Sequence, residues 1–104
     1  MSLQERQLRS ELAQLVATQP LLRGTLVERR RRCGRSTCRC ASDPAQAHPA
    51  LYLFASDGQR RRQWYVPREW HQRVRQWVDN YRQVRQLTCQ LSELYWQKAR
   101  QRQD

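Results

Sequence analysis

The sequence predicts a small α+β protein with an N-terminal helix, a small antiparallel sheet with a zinc knuckle, and a long C-terminal helix. Apolar residues recur at helical spacing near both ends of the chain, and residues 50–66 alternate in the manner of a β-hairpin. Between these regions, three of the four cysteines lie within eight residues. We expect one compact unit made of segments 1–22, 23–67 and 68–104.

The first predicted element is a helix over residues 3–18. Its apolar stripe consists of Leu8, Leu12, Leu15 and Val16, with Glu and Arg on the opposite side. Gln19 ends the helix because a residue that precedes proline avoids the α-helical region. After Gly24, the segment 25–32 is predicted to be a strand that leads to Cys33.

A β-hairpin is predicted next, with Asp57-Gly58 as a type I′ turn. This turn would set Leu53 opposite Arg62. One face of the hairpin would then hold Leu51, Leu53, Trp64 and Val66, and the other Tyr52, Phe54, Tyr65 and Arg61. We favour burial of the second face under the long helix, since a chain this poor in apolar residues needs its aromatic side chains in the core. Stacking of these rings on unpaired bases is the alternative.

The remainder of the chain is predicted to be one helix over about residues 68–101, roughly 50 Å long. Its apolar positions are Trp70, Val74, Trp77, Tyr81, Val84, Leu87, Leu91 and Leu94 or Tyr95. A helix of this length has two possible uses for its distal half: packing on the first helix, or self-association and docking on a partner protein. The partner-binding candidates are Leu87, Leu91, Leu94, Tyr95 and Trp96.

Positive charge dominates the composition. The formal net charge is +11, and residues 23–62 supply +7 of it, with ten arginines against three acidic residues. Such a balance indicates a polyanionic partner, although a merely solvated basic face is the alternative. The candidate phosphate contacts are Arg29, Arg30, Arg31, Arg32, Arg35, Arg39, Arg60, Arg61 and Arg62.

The cysteine cluster has the donor set of a structural zinc site. Cys33, Cys38, Cys40 and His48 offer three thiolates and an imidazole, which suits tetrahedral Zn2+. Free or redox-active cysteines are the alternative. His71 is a substitute fourth ligand, but a solvent-facing role fits it better, and helix packing fits Cys89 better. Because four protein ligands close a site, we expect no catalysis there.

Two classes of protein are not expected. The sequence has neither an apolar signal segment at its start nor a run of about 18 apolar residues, so we expect a cytoplasmic protein without a membrane partner. It also has no paired carboxylates, no Ser/His/Asp set and no glycine-rich phosphate loop, so we expect no enzyme.

The central and C-terminal parts resemble a family of small, uncharacterised bacterial proteins often encoded near transposases and other mobile elements. The resemblance covers roughly residues 24–95 and is carried by segments 26–40, 48–52, 64–69 and 74–81. It implies metal binding and a mobile-element setting, and it implies no reaction.

These features predict a non-catalytic nucleic-acid-binding protein, with DNA or RNA as its partner. Its expected role is that of an accessory subunit of a mobile-element or other DNA-processing complex. The alternative is a protein-interaction adaptor whose long C-terminal helix dimerises or docks on a larger enzyme.

Overall fold

The computed structural model describes residues 1–103 and has the predicted α+β architecture. Its elements are α1 (Leu3–Thr18), β1 (Thr25–Arg31), β2 (His48–Asp57), β3 (Arg60–Tyr65) and α2 (His71–Gln101). The chain forms two compact units. The helical unit comprises residues 1–23 together with the residues from 76 onward, and the sheet unit is Gly24–Arg75.

Helix α1 has the predicted bounds, and its two ends have physical causes. The Ser2 hydroxyl caps the start by accepting a hydrogen bond from the Glu5 backbone N–H at 3.1 Å. Gln19 is extended, with φ −111° and ψ 142°, as expected of a residue before proline.

The connection that follows α1 is attached to α2 within the helical unit. The Asn80 side chain, 4% exposed, donates from Nδ2 to the Pro20 carbonyl oxygen at 3.0 Å. The backbone N–H of Leu22 donates to the Trp77 carbonyl oxygen at 3.2 Å. These bonds satisfy polar groups that would otherwise be costly to bury.

The three strands form an antiparallel sheet in the order β1-β2-β3. The predicted hairpin register is wrong by two residues, since Leu53 lies opposite Trp64 rather than Arg62. The reason is the turn: Gly58 and Gln59, not Asp57 and Gly58, connect the strands. Gly58 has φ +59° and Gln59 has no positive φ, a pattern typical of a type II′ turn.

A shift of two residues leaves every side chain on its predicted face. Leu51 and Val66 are 1% and 0% exposed, so their face contains the core of the sheet unit. The opposite face is only partly covered. Tyr52 and Phe54 are half-buried, and Tyr65 is 47% exposed, so the expected burial of Tyr65 is wrong.

Helix α2 begins later than predicted. Arg68–Trp70 form a 3₁₀ turn, and regular α-helix runs only from His71.

Among residues 1–103, no helix has both the length and the apolar character that crossing a membrane requires.

Candidate metal centre and basic surface

The loop between β1 and β2 brings the three clustered cysteines together by turning twice. Gly34 has φ +86°, a conformation that glycine adopts without strain. The backbone N–H of Cys38 then donates to the Arg35 carbonyl oxygen at 3.2 Å, and that of Ala41 donates to the Cys38 carbonyl oxygen at 3.0 Å. This second turn continues into a 3₁₀ helix, Arg39–Ala41, which accommodates the close spacing of Cys38 and Cys40.

The four predicted ligands lie close together: their donor atoms are all within 4.8 Å of one another. The Sγ atoms of Cys33 and Cys40 are 3.4 Å apart, and Cys38 Sγ is 3.2 Å from His48 Nε2. Tetrahedral zinc, with bonds of about 2.3 Å to sulfur and about 2.0 Å to nitrogen, requires donors about 3.5–3.8 Å apart. The cluster could therefore bind a metal ion with only small adjustments.

The protonation of the thiols is uneven. The pKa of Cys38 is lowered to about 6, first by the Cys40 backbone N–H and then by the His48 side chain. The pKa of Cys40 is raised: the Cys33 backbone N–H lowers it, but burial and the neighbouring thiols outweigh that effect. A bound cation would stabilise all three thiolates at once.

Contacts with the sheet also position this loop. His48 is the first residue of β2 and pairs with Arg31 of β1, so the fourth ligand belongs to the sheet itself. The Arg30 guanidinium donates to the carbonyl oxygens of Ala47 at 3.2 Å and Ala45 at 3.5 Å. Arg30, which was predicted to contact phosphate, therefore also stabilises the segment that leads into His48.

The nine candidate arginines fall into two groups. Five are exposed, and their side chains make no hydrogen bond or ion pair with any described residue: Arg32, Arg35, Arg39, Arg60 and Arg61. The other four have partners within the sheet unit. Arg62 lies 3.9 Å from an Asp57 carboxylate oxygen, an exposed pair that holds it weakly.

Arg29 and Arg31 lie over aromatic rings. The Arg29 guanidinium carbon is 5.2 Å from the centre of the Phe54 ring, and that of Arg31 is 5.0 Å from the centre of the Tyr65 ring. Arg31 also donates to the Tyr52 hydroxyl at 3.3 Å. These rings were expected in the core, but they lie on the partly covered face of the sheet, opposite Leu51.

His71, the substitute fourth ligand, and Cys89 both have surroundings that differ from those expected. His71 is half-buried rather than solvent-facing, and its Nε2 donates to the Val66 carbonyl oxygen at 3.0 Å. Cys89 is exposed on α2 rather than packed. Neither belongs to the group of potential metal ligands found among residues 1–103.

The partner-binding candidates of α2 differ in exposure. Leu87 and Leu91 are buried within the helical unit, and Leu94 is half-buried. Tyr95 is 46% exposed, and its hydroxyl donates to Glu5 Oε2 at 2.9 Å. Trp96 is 61% exposed and is therefore the most accessible member of the set.

Comparison with known proteins identifies a family but no activity. No curated protein and no solved structure shows significant similarity to the chain. One family model matches residues 3–76, which include α1, the whole sheet and all four potential metal ligands. The chain therefore belongs to the family described as Domain of unknown function (DUF6788).

Proposed function

We propose that this protein is a non-catalytic nucleic-acid-binding protein in which zinc holds a basic loop in place. One observation carries the proposal. Five exposed arginines whose side chains have no internal partner lie on the loop between β1 and β2 (residues 32–47, the cysteine loop) and on β3. Arg32 and Arg39 are adjacent in sequence to potential metal ligands, and Arg35 lies two residues from one. Ordering the loop before binding reduces the conformational entropy lost when its side chains contact a ligand.

Zinc is the metal that the donor set favours. Three thiolates and one imidazole match the ligands of structural zinc sites, whereas magnesium and calcium prefer oxygen. With four protein ligands, the metal would have no open position for water or substrate. Its role would be to fix the course of the loop between β1 and β2.

The type of basic residue favours phosphate as the anion. Lys98 is the only lysine of the chain, so nearly all its positive charge is carried by guanidinium groups. A guanidinium group presents two parallel N–H donors to phosphate oxygens and also stacks on bases. The resemblance to proteins encoded near mobile elements supports a role as an accessory subunit of a DNA-processing complex.

Metal binding is tested by native mass spectrometry of protein purified without chelator. We expect one zinc ion per chain, and we expect Cys40→Ala to lose it because Cys40 is a fully buried ligand. Cys89→Ala is the matched control, since it removes an exposed thiol outside the cluster. Metal-free wild-type protein would exclude the zinc site.

Nucleic-acid binding is tested by measuring affinity against salt concentration for duplex DNA, single strands and structured RNA. The variant carries Arg32→Gln, Arg35→Gln and Arg39→Gln, and it should bind more weakly with a flatter salt slope, by about one unit per lost phosphate contact. The control carries Arg6→Gln, Arg85→Gln and Arg100→Gln, which remove the same charge from the helices. Equal losses in both variants would indicate net charge alone and contradict the proposed site.

Trp96 favours a second candidate function, that of a protein-interaction adaptor. A tryptophan 61% exposed near the end of α2 is a typical anchor for an interface. This function requires a dimer or a partner complex that Trp96→Ala disrupts, as measured by light scattering and affinity capture. Monomeric wild-type protein without a captured partner would argue against it.

A further inference from the structure

We propose that the partly covered face of the sheet is a stacking platform for the unpaired bases of single-stranded nucleic acid. We call this surface the open face, defined by Arg29, Arg31, Tyr52, Phe54, Arg61 and Tyr65. The proposal rests on the proposed function, because it presupposes nucleic-acid binding. It specifies that the nucleic acid is single-stranded, and it adds the open face as a second set of binding residues.

The strand register places these residues side by side. Tyr52 pairs with Tyr65 across β2 and β3, and their ring centres are 5.6 Å apart. Phe54 lies two residues along β2 from Tyr52, with ring centres 6.2 Å apart. Tyr52 contacts both of the other rings, so the three form a continuous aromatic surface across the middle and one edge of the sheet.

The two faces of the sheet differ in where their acidic residues lie. The positions on the open face of all three strands hold arginines, His48 and neutral residues, and no carboxylate. The two acidic residues of the strands, Glu28 and Asp57, lie at the alternate positions that define the opposite face. The open face therefore combines aromatic rings with uncompensated positive charge, which is the combination that binds single strands.

The arginines over the rings extend the surface for stacking. Arg29 and Arg31 lie within 5.2 Å of the centres of the Phe54 and Tyr65 rings. A guanidinium plane can itself stack on a base, or it can move aside to contact phosphate while the base occupies the ring. Tyr65, 47% exposed on an edge strand, is the most accessible of the three rings.

A duplex cannot use this surface in the same way. In a double helix the faces of the bases are covered by their neighbours, so stacking requires unpaired bases. The major groove, about 12 Å wide, admits a helix or a two-stranded ribbon. The outer strands of this three-stranded sheet are already about 10 Å apart before their side chains are counted.

One end of the open face adjoins the candidate metal centre. His48 begins β2 at the end of this face, where it pairs with Arg31. Tyr52 lies four residues further along the same strand, a distance of about 13 Å. A short single strand can therefore stack its bases on the rings while its phosphates reach the arginines of the cysteine loop.

The test compares Tyr65→Leu with Trp64→Leu by fluorescence anisotropy on the zinc-loaded full chain. Trp64 is the matched control, because it is 43% exposed on the same strand and belongs to the opposite face. The probes are single-stranded DNA and RNA of about 12 nucleotides and a DNA duplex of the same length. Tyr65→Leu should weaken binding of single strands at least about fivefold and leave the duplex affinity and the salt slope unchanged. Trp64→Leu should change neither affinity, and Tyr65→Phe should retain single-strand binding because it keeps the ring.

Several outcomes would overturn the stacking platform. If wild-type protein binds with steep salt dependence but Tyr65→Leu binds single strands as tightly as wild type, the platform is wrong and the proposed function stands. If wild-type protein binds no nucleic acid at low salt, the proposed function fails, and the platform fails with it. Photocrosslinking of wild-type protein to a strand that contains 5-iodouracil needs no variant. Crosslinks to Tyr52, Phe54 or Tyr65 support the platform, and crosslinks confined to the cysteine loop contradict it.

Discussion

At the scale of single residues, the most unusual group is a buried carboxylate in the helical unit. Glu5 is 1% exposed and accepts hydrogen bonds from Arg9 Nε at 2.8 Å, the Tyr95 hydroxyl at 2.9 Å and Lys98 Nζ at 3.2 Å. Tyr95 and Lys98 belong to the last turns of α2, so their bonds connect this end of α2 with the start of α1. Because the carboxylate has several donors, it can be buried in its charged form.

Glu5 makes stability depend on acid pH. Its pKa is lowered from an ordinary 4.5 to about 2 by the hydrogen bonds from Arg9, Tyr95 and Lys98, which outweigh burial. A lowered pKa contributes stability that is present above pH 4.5 and is lost as the pH falls toward 2. We expect thermal unfolding of wild-type protein to shift to lower temperature across this range, and we expect Glu5→Gln to shift less.

Glu11→Gln is the control for this experiment, since Glu11 is exposed on the same helix and has no partner among the described residues. It should follow the wild-type pH dependence. If Glu5→Gln keeps the full acid dependence, other carboxylates cause it.

Sequence reasoning found some of the residue-scale features and missed others. The grouping of Cys33, Cys38 and Cys40 was predicted correctly, because cysteines this close in sequence have few roles other than binding one metal ion. Glu5 was missed, because its partner Tyr95 lies 90 positions away and nothing in an amphipathic pattern marks a buried carboxylate. Tyr65 was assigned to the core because composition says how many apolar residues exist but not which face of a sheet is covered.

At the scale of elements, patterns fixed the type of each segment better than the pairing between segments. The bounds of α1 followed from its apolar stripe and Pro20. The hairpin register did not follow, because Asp57-Gly58 and Gly58-Gln59 both contain a glycine that can turn the chain. The prediction of which face each side chain occupies is nevertheless correct, because the two possible turns differ by two residues of register.

The geometry of the hairpin turn predicts how a methyl group added at Gly58 changes the stability of the protein. Gly58 has φ +59°, so Gly58→Ala should destabilise the protein by about 1 kcal/mol, the usual cost of placing a side chain in that region. Gly58→Asn should cost less, because asparagine tolerates this conformation better. Urea denaturation measures both changes. Gln59→Ala, with no positive φ to maintain, is the control, and an equal loss there would show that the turn has been assigned wrongly.

At the scale of the whole molecule, the two compact units differ in what stabilises them. The helical unit has buried leucines and the Glu5 network. The sheet unit has a small core around Leu51 and Val66, and its longest loop carries three of the four potential metal ligands. Small cores generally need an additional constraint, and a metal ion can supply it.

This difference predicts an uneven response to metal removal. Chelation should increase amide hydrogen exchange in the cysteine loop and at the pairing of Arg31 with His48, by at least about tenfold, because ligand binding free energy is also folding free energy. Exchange in the middle of α1 should change little. Mass spectrometry of peptides from both units measures the two effects in one experiment. An equal increase of amide exchange in all peptides on chelation would contradict the prediction.

The runs of arginine in β1 and β3 have a further consequence for the sheet. β2 is paired on both sides, whereas β1 and β3 are edge strands, and each carries three consecutive arginines. An uncovered edge can pair with another sheet and begin aggregation, and natural proteins oppose this with charged side chains. Since both edges carry the same sign of charge, a second copy approaching either one is repelled. The arginines proposed to contact a polyanion thus also oppose the addition of a further strand at either edge.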